Sequence, residues 1–360
     1  MQGKYRPLWL NEEGDLEVLD QRYLPYETKV RKLTTGTEAT EAISDMTVRG
    51  AGVIGNVAAM GVYLLAREFG DDKARIKEEA VQIRSSRPTA VNLMWAVDRM
   101  LNVIEESNNI LTDAKAEAIA ICDEDVKRSE TIGKIGCDII EKIMQEKNLE
   151  KINILTHCNA GWLAIIDSGT ALAPIYEAKR RGIDVHVWVD ETRPRNQGAN
   201  LTSWELLDAG IDHTIIADNT GGHLMQHDMV DMAITGADRV TRCGDAANKI
   251  GTYLKALAAN DNDVPFYVAL PLSTFDFESC NGMDEIDIEM RSEDEIHIMR
   301  GIDADGNLKE LRVTPVGAKG ANYGFDVTPS RLITGLITEA GCIDANENAI
   351  KGLRGTSNNI

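Results

Sequence analysis

A cysteine follows a short apolar run in the segment Thr156-His157-Cys158-Asn159-Ala160-Gly161. The run before it, Ile152-Asn153-Ile154-Leu155, has the composition of a buried strand. A thiol one turn past a strand end sits where α/β sheets collect ligands, outside the carboxyl ends of their strands. A helix starting just after it would favour the thiolate through its free N–H groups. The bland alternative is a small buried residue in a tight turn. Four more polar clusters end apolar runs or open helices. They are Asp190-Glu191-Thr192-Arg193-Pro194 with Gln197-Gly198, Asp218-Asn219-Thr220-Gly221-Gly222, Gly236-Ala237-Asp238-Arg239, and Asn248-Lys249-Ile250-Gly251-Thr252, the last read as a helix opening. Polar groups gathered at successive strand ends cost stability unless they bind something. Their recurrence predicts a catalytic pocket.

The N-terminal half offers two cation motifs, Arg49-Gly50-Ala51 and Ser86-Arg87-Pro88-Thr89-Ala90-Val91-Asn92. An arginine beside a helix start suits a phosphate, because a forked guanidinium and free N–H donors converge there. Gly50 to Gly55 is neither a Walker loop, lacking Gly-Lys-Ser/Thr, nor a dinucleotide fingerprint, lacking a preceding strand. His223 and His227 stand four apart, but a solvated helix face explains them without a metal.

These residues need elements to hold them. Residues 7–32 alternate around a Glu-Gly turn and predict a small β meander. From Thr37 to about residue 148 the periodicity is helical, with segments Asp71–Arg84, Val91–Val103 and Leu111–Met144, the last interrupted by Gly133 and Gly136. Gly50–Ala66 reads as a buried helix with close backbone contacts, too glycine-rich for a membrane span. After residue 151 strands alternate with helices. The strands are Ile152–Leu155, Val185–Val189, Thr214–Ala217, Met232–Thr235 and Phe266–Ala269; helices at Thr170–Arg181, Ser203–Ala209, Gly221–Met229 and Asn248–Ala259 separate them. The fold class is therefore α/β. A doubly wound, mostly parallel Rossmann-like sheet (149–360) is expected behind an N-terminal helical domain (1–148) carrying the meander. The polar tail Gly352–Ile360 is expected to fray.

A net charge of −20 argues against a nucleic-acid partner, which needs a basic face. It leaves room for a small anion held by a few local cations. Six cysteines, at 122, 137, 158, 243, 280 and 342, form no CxxC pair and no even ladder. They predict neither a disulfide framework nor a zinc site, and with an N-terminus lacking an apolar signal core they point to a reducing cytosol.

Taken together, Arg49-Gly-Ala, Ser86-Arg-Pro-Thr-Ala-Val-Asn, Thr156-His-Cys-Asn-Ala-Gly, Val189-Asp-Glu-Thr-Arg-Pro with Gln197-Gly, Gly236-Ala-Asp-Arg, Gly244-Asp-Ala-Ala-Asn-Lys-Ile-Gly-Thr and Pro271-Leu-Ser-Thr-Phe-Asp resemble the methylthioribose-1-phosphate isomerase family. That family is related to the regulatory subunits of translation initiation factor 2B. The resemblance runs from about residue 6 to 343. It implies a homodimeric cytosolic enzyme of methionine salvage that converts an aldose 1-phosphate to the ketose 1-phosphate without a metal or organic cofactor. By position, it places the catalytic cysteine on Cys158 and the catalytic aspartate on Asp238. It places substrate contacts on Arg49, Gly50, Ala51, Arg87, Gln197, Asn248 and Lys249.

The implied chemistry suits those residue types. A phosphate on C1 prevents spontaneous ring opening, so an acid must protonate the ring oxygen. A carboxyl shielded from water stays protonated for that task. Hydrogen then moves from C2 to C1, either through an enediol with Cys158 as base or as a hydride in a site that Cys158 shapes. Departures near the expected pocket, Gly52-Val53 for Pro-Ala, Thr220-Gly221 for Met-Ala, and Trp162, leave a 5-deoxyribose 1-phosphate as the alternative substrate. A ribose 1,5-bisphosphate isomerase would need further cations. A non-catalytic initiation-factor-like regulator would not need Cys158 and Asp238. A dinucleotide-dependent dehydrogenase lacks its fingerprint here.

Overall fold

The structure, a computed structural model, describes residues 5–87 and 90–353. Chain order begins with a three-stranded antiparallel meander, β1 (Leu8–Leu10), β2 (Leu16–Leu19) and β3 (Val30–Leu33). Five helices follow: α1 (Gly36–Ser44), α2 (Ala51–Phe69), α3 (Lys73–Ser85), α4 (Val91–Glu106) and α5 (Ile110–Lys147). A capping box starts α1, with Thr35 Oγ1 accepting from Glu38 N and the Glu38 carboxylate accepting from Thr35 N. α2 is buried from Ala51 to Ala66, as its apolar and small residues predict.

α5 runs unbroken for 38 residues, about 57 Å at 1.5 Å per residue. Gly133 and Gly136 do not interrupt it. A Cβ at Gly136 would sit 2.3 Å from Pro174 Cγ, so the missing side chains let the next helix dock. Up to Val126 the buried face of α5 joins the core built from the meander and α1–α4. From Ile132 to Ile143 it joins the core beneath the large sheet.

The second half contains β4 (Lys151–Thr156), α6 (Ala173–Arg180), β5 (Asp184–Asp190), α7 (Ser203–Asp208), β6 (Asp212–Ile216), α8 (Thr220–Met225), β7 (Met232–Thr235), β8 (Arg239–Thr241), β9 (Ala246–Lys249), α9 (Thr252–Asp261), β10 (Phe266–Ala269) and β11 (Phe275–Asp276). It continues with α10 (Gly282–Glu285), α11 (Asp294–His297), β12 (Ile298–Ile302), β13 (Leu308–Arg312), β14 (Phe325–Thr328), β15 (Gly335–Thr338), β16 (Gly341–Ile343) and α12 (Glu347–Leu353). Gly352 and Leu353 end α12; the rest of the expected frayed tail lies outside the described residues.

Seven strands form one sheet in the order β16-β15-β10-β7-β4-β5-β6. All pairs are parallel except β15 with the edge strand β16. Alternate residues serve opposite faces. Ile152 and Ile154 of β4 and Met232 and Ile234 of β7 face α5 and α6, whereas Leu155 and Ala233 face α8 and α9. The chain leaves β4 in one direction for β5 and β6 and returns to the other side with β7. The winding therefore reverses between β4 and β7, the crevice where such sheets bind ligands.

A second sheet, β11-β8-β9-β14, grows from the end of β7. It corrects one expectation. Asn248 and Lys249 end strand β9, and α9 starts only at Thr252, after Gly251 at φ +103° has turned the chain. The structure also pairs Cys243 with Cys280 in a disulfide, with Cα atoms 4.9 Å apart. The sequence reading, which found no disulfide framework, missed this bond. The turn between β8 and β9 and the segment after β11 meet only through the fold, and a 37-residue separation carries no spacing signature. No helix among the described residues is long and apolar enough to cross a membrane.

Candidate active site

The sequence expected a helix after Cys158, but residues 157–172 form an irregular loop and α6 starts only at Ala173. Positive φ angles at Asp167 and Gly169 break any helical run. No helix therefore starts directly after the thiol. The loop is held instead by polar side chains. Cys158 itself adopts φ +66°, an uncommon conformation for a residue with a side chain. Its N–H donates to Thr192 Oγ1 at 2.9 Å, and its carbonyl accepts from Thr202 Oγ1 at 2.7 Å. Such strain persists only where neighbours over-determine it.

Glu205 of α7 holds the next residues. Its carboxylate accepts from Asn159 Nδ2 (2.8 Å), Trp162 N (2.9 Å), Leu163 N (3.2 Å) and the Tyr176 hydroxyl (2.7 Å). Burial pushes its pKa up against those donors. Before Cys158, His157 places one ring nitrogen 2.9 Å from Asp190 and the other 2.9 Å from the Ile250 carbonyl. His157, Asp190 and Asp218 gather three potential metal-ligand atoms within 4.8 Å. The Lys255 ammonium, 3.1 Å from Asp190, already supplies the positive charge there. Asp218 meanwhile accepts from the backbone N–H groups of Thr192 (2.7 Å) and Arg193 (2.8 Å). The cluster braces the strand ends around Cys158.

Asp238 follows β7 on the other side of the crevice. Its side chain is half-buried, and desolvation raises its pKa. The charges of Lys249, Arg49 and Arg87 act in the opposite direction. Lys249 is buried, with its pKa lowered by that burial, and lies within electrostatic reach of both Cys158 and Asp238. Its ammonium donates to the Gly324 carbonyl at 3.1 Å and sits over the Phe325 ring. Asn248 beside it is buried and donates to Thr252 Oγ1.

The N-terminal half closes the crevice. Arg49 is buried and donates to Asn159 Oδ1 (2.5 Å) and to the Asn159 carbonyl (2.8 Å). Gly50 follows at φ +88°, where a Cβ would lie 2.5 Å from Ala164 Cα. Only glycine lets the start of α2 at Ala51 approach the loop so closely. Val53 N then donates to Ala164 O at 2.9 Å. Arg87 is buried beside Met46, and desolvation lowers its pKa. Pro88 and Thr89 of its motif lie outside the described residues.

Arg49 and Gln197 line a cleft of about 430 Å³ between the two halves, with Met46, Arg195 and Glu295 among its other walls. Gln197 is buried, and its Oε1 has no hydrogen-bond partner among the described residues. Of the nine expected site residues, Arg49 and Gln197 line this cleft, Lys249 lies within electrostatic reach of Cys158, Asp238 and Arg49, Asp238 lies within reach of Arg87, and Asn248 is turned toward Thr252. Sequence reasoning missed Glu205, Thr202, and the Glu289 and Glu295 carboxylates that flank the arginines. A glutamate inside the short helical run Ser203–Ala209 was the one available signal.

The "Initiation factor 2 subunit family" profile matches residues 43–345. A methylthioribose-1-phosphate isomerase of Sulfurimonas denitrificans is 61% identical over 354 residues, covering 98% of this chain and 99% of that one. The chain belongs to the methylthioribose-1-phosphate isomerase family. A second relative of that name, from Desulfosudis oleivorans, is 50% identical over 97% of this chain and 96% of its own. Among solved structures, the methylthioribose-1-phosphate isomerase family is represented by a Pyrococcus horikoshii OT3 5-methylthioribose 1-phosphate isomerase. It has a TM-score of 0.83 at 36% identity and covers 98% of this chain and 96% of that one. A chain described as translation initiation factor 2B, subunit delta, from A. fulgidus has a TM-score of 0.79, also at 36% identity, over 97% and 100%.

Proposed function

We propose that this protein isomerises 5-methylthioribose 1-phosphate to 5-methylthioribulose 1-phosphate, as the names of its relatives suggest. One observation carries the reading. A half-buried carboxyl with a raised pKa, Asp238, and a thiol, Cys158, stand at the two strand ends that flank the reversal of the sheet, with Lys249 in reach of both. In this reading Arg49, Arg87, Lys249 and the N–H groups after Gly50 receive the phosphate. Gln197 and Asn248 orient the sugar. Protonated Asp238 gives its proton to the ring oxygen as the C1–O bond opens. Cys158 then assists hydrogen transfer from C2 to C1, the C2 hydroxyl gives up its proton as the carbonyl forms and so restores protonated Asp238, and the ketose 1-phosphate leaves.

The chemistry draws only on groups of the chain, without a metal or organic cofactor. We place the protein in the cytosol, in methionine salvage, as a homodimer, with residues 1–148 as the helical domain and 149–360 as the catalytic one. A bisphosphate substrate is disfavoured because the further cations of the cleft are already paired: Arg195 with Glu295 at 2.8 Å, Arg22 with Asp45 at 2.7 Å and Arg300 with Glu310 at 2.7 Å. The test is a substrate panel. Pure protein is incubated with methylthioribose 1-phosphate, 5-deoxyribose 1-phosphate and ribose 1,5-bisphosphate while ketose formation is followed. The methylthio compound is expected to give the highest kcat/KM; no turnover of any of the three would refute the reading.

A further inference from the structure

Arg87 and Glu289 face each other without satisfying one another. Arg87 Nη2 lies 3.5 Å from Glu289 Oε2, beyond the roughly 2.7–2.9 Å of a charge-assisted hydrogen bond. Among the described residues, Arg87 Nε and Glu289 Oε2 are both buried without a hydrogen-bond partner. Among the described residues, Arg87 Nη1 hydrogen-bonds to the Met46 thioether alone, at 2.9 Å, and sulfur is a weak acceptor. A buried charge held this loosely is costly unless something completes it.

The rest of Glu289 is firmly placed. Its Oε1 accepts from Arg291 Nη1 at 2.7 Å, and Arg291 in turn forks onto Glu295. The Glu289 carbonyl accepts from Gly324 N at 2.8 Å, and the next residue, Met290, bridges to Tyr323. Gly324 is also where Lys249 anchors its ammonium. The backbone at Glu289 is thus tied to the residue that also holds Lys249, and one carboxylate oxygen is left pointing at Arg87.

We propose that Glu289 is a built-in counter-ion for Arg87, which the substrate's phosphate displaces, and that it sets how much binding from other contacts an anion must bring before it occupies the site. The inference rests on the reading of Arg87 as a phosphate contact. An uncompensated guanidinium would bind any small phosphate. A carboxylate beside it subtracts from the affinity of every anion alike. Only an anion that also gains contacts from its sugar, at Arg49 and Gln197, then makes up the difference. After displacement Glu289 keeps its bond to Arg291 through Oε1, so the exchange breaks no other contact.

The experiment is calorimetric titration of the full chain with inorganic phosphate, in wild type, Glu289→Gln, Arg87→Ala and the double variant. Glu289→Gln keeps the side-chain shape and an acceptor for Arg291. It is expected to tighten phosphate binding by roughly tenfold, because a repelling charge is gone. The same substitution in the Arg87→Ala background is expected to change little. Should Glu289→Gln lower the melting temperature, Glu289→Ala carries the same expectation of tighter phosphate. If Arg87→Ala weakens phosphate but neither Glu289 variant tightens it, the counter-ion role is overturned and the phosphate role of Arg87 stands. If Arg87→Ala leaves phosphate binding unchanged, both fall together.

Discussion

Arg49 gives two guanidinium nitrogens to a single residue, Asn159, one to its side-chain oxygen and one to its carbonyl. The arginine comes from the helical half, and the asparagine follows Cys158 in the loop after β4. The pair therefore fixes the thiol-bearing loop against the opposite wall of the cleft. Asn159 also donates to Glu205 and Thr202, so every hydrogen-bonding face of its side chain is used. Reactive groups held this way need little reorganisation when a substrate arrives.

Asp238→Asn keeps the shape of the proposed acid and removes its proton. Turnover is expected to fall at least about a hundredfold, the usual contribution of a positioned acid or base. Affinity for inorganic phosphate is expected to stay within a few-fold. Steady-state kinetics with calorimetry on the same variant checks both. Near-normal kcat would remove Asp238 from the acid role.

The pH profile follows from the sign of the Asp238 shift. Burial raises its pKa, so the protonated, competent form persists above the ordinary carboxylate range and is lost as pH rises through the raised value. An alkaline limb in kcat/KM is the expected result. Lys249 opposes that shift. Lys249→Met should therefore move the limb to higher pH while raising KM. A limb that stays in place, or moves down, would show that it belongs to another group.

Cys158 is one of four free cysteines. All but Cys342 are buried, yet Cys158 keeps 8% exposure whereas Cys122 and Cys137 keep none and their thiols are pushed up by desolvation, that of Cys137 to about 12. Cys342 is exposed on the edge strand, far along the sheet order from β4. Iodoacetamide is expected to label Cys158 and Cys342 ahead of the other two, and phosphate or substrate is expected to slow labelling at Cys158 alone. Peptide mass mapping with and without ligand reads this directly. Equal protection at both positions would argue against a ligand beside Cys158.

Glu205 carries a structural prediction. Its two oxygens accept from four donors in a fully buried setting. Glu205→Gln turns one oxygen into an NH₂ that meets donors instead of accepting from them. Leaving a buried donor unpaired costs about 1–3 kcal/mol. Denaturant melts should show a loss of that size, and kcat should fall with it because the loop after Cys158 loosens. Unchanged stability would mean that the loop is held chiefly by Thr192 and Thr202.

The parallel strands could be read from the sequence because runs such as Met232–Thr235 and Phe266–Ala269 are apolar on nearly every position of both faces, which few other elements require. The ends of those strands then announced the site through clustered polar residues, and Arg49 and Cys158 came with them. Other parts carry no comparable pattern. β8, β9 and β11 are two to four residues long, too short for alternation to register. The loop after Cys158 depends on Glu205, 47 positions away in sequence, and Arg87 meets Glu289 across about 200 residues. Such pairings become visible only when folding brings the partners together. The same holds for Cys243 and Cys280.

α5 belongs to two cores at once, and that bears on how the cleft can open. A rigid rod shared by both halves transmits load between them. Tilting one half against the other would shear either Ile110–Val126 or Ile132–Ile143 out of its packing. The chain is therefore not a clam shell pivoting near residue 148. The mostly exposed β12–β13 hairpin instead lines one side of the cleft and rests on the helical half through Tyr26 and Arg22 at Arg300. The deep cores are the frame, and the hairpin is the cleft's exposed rim.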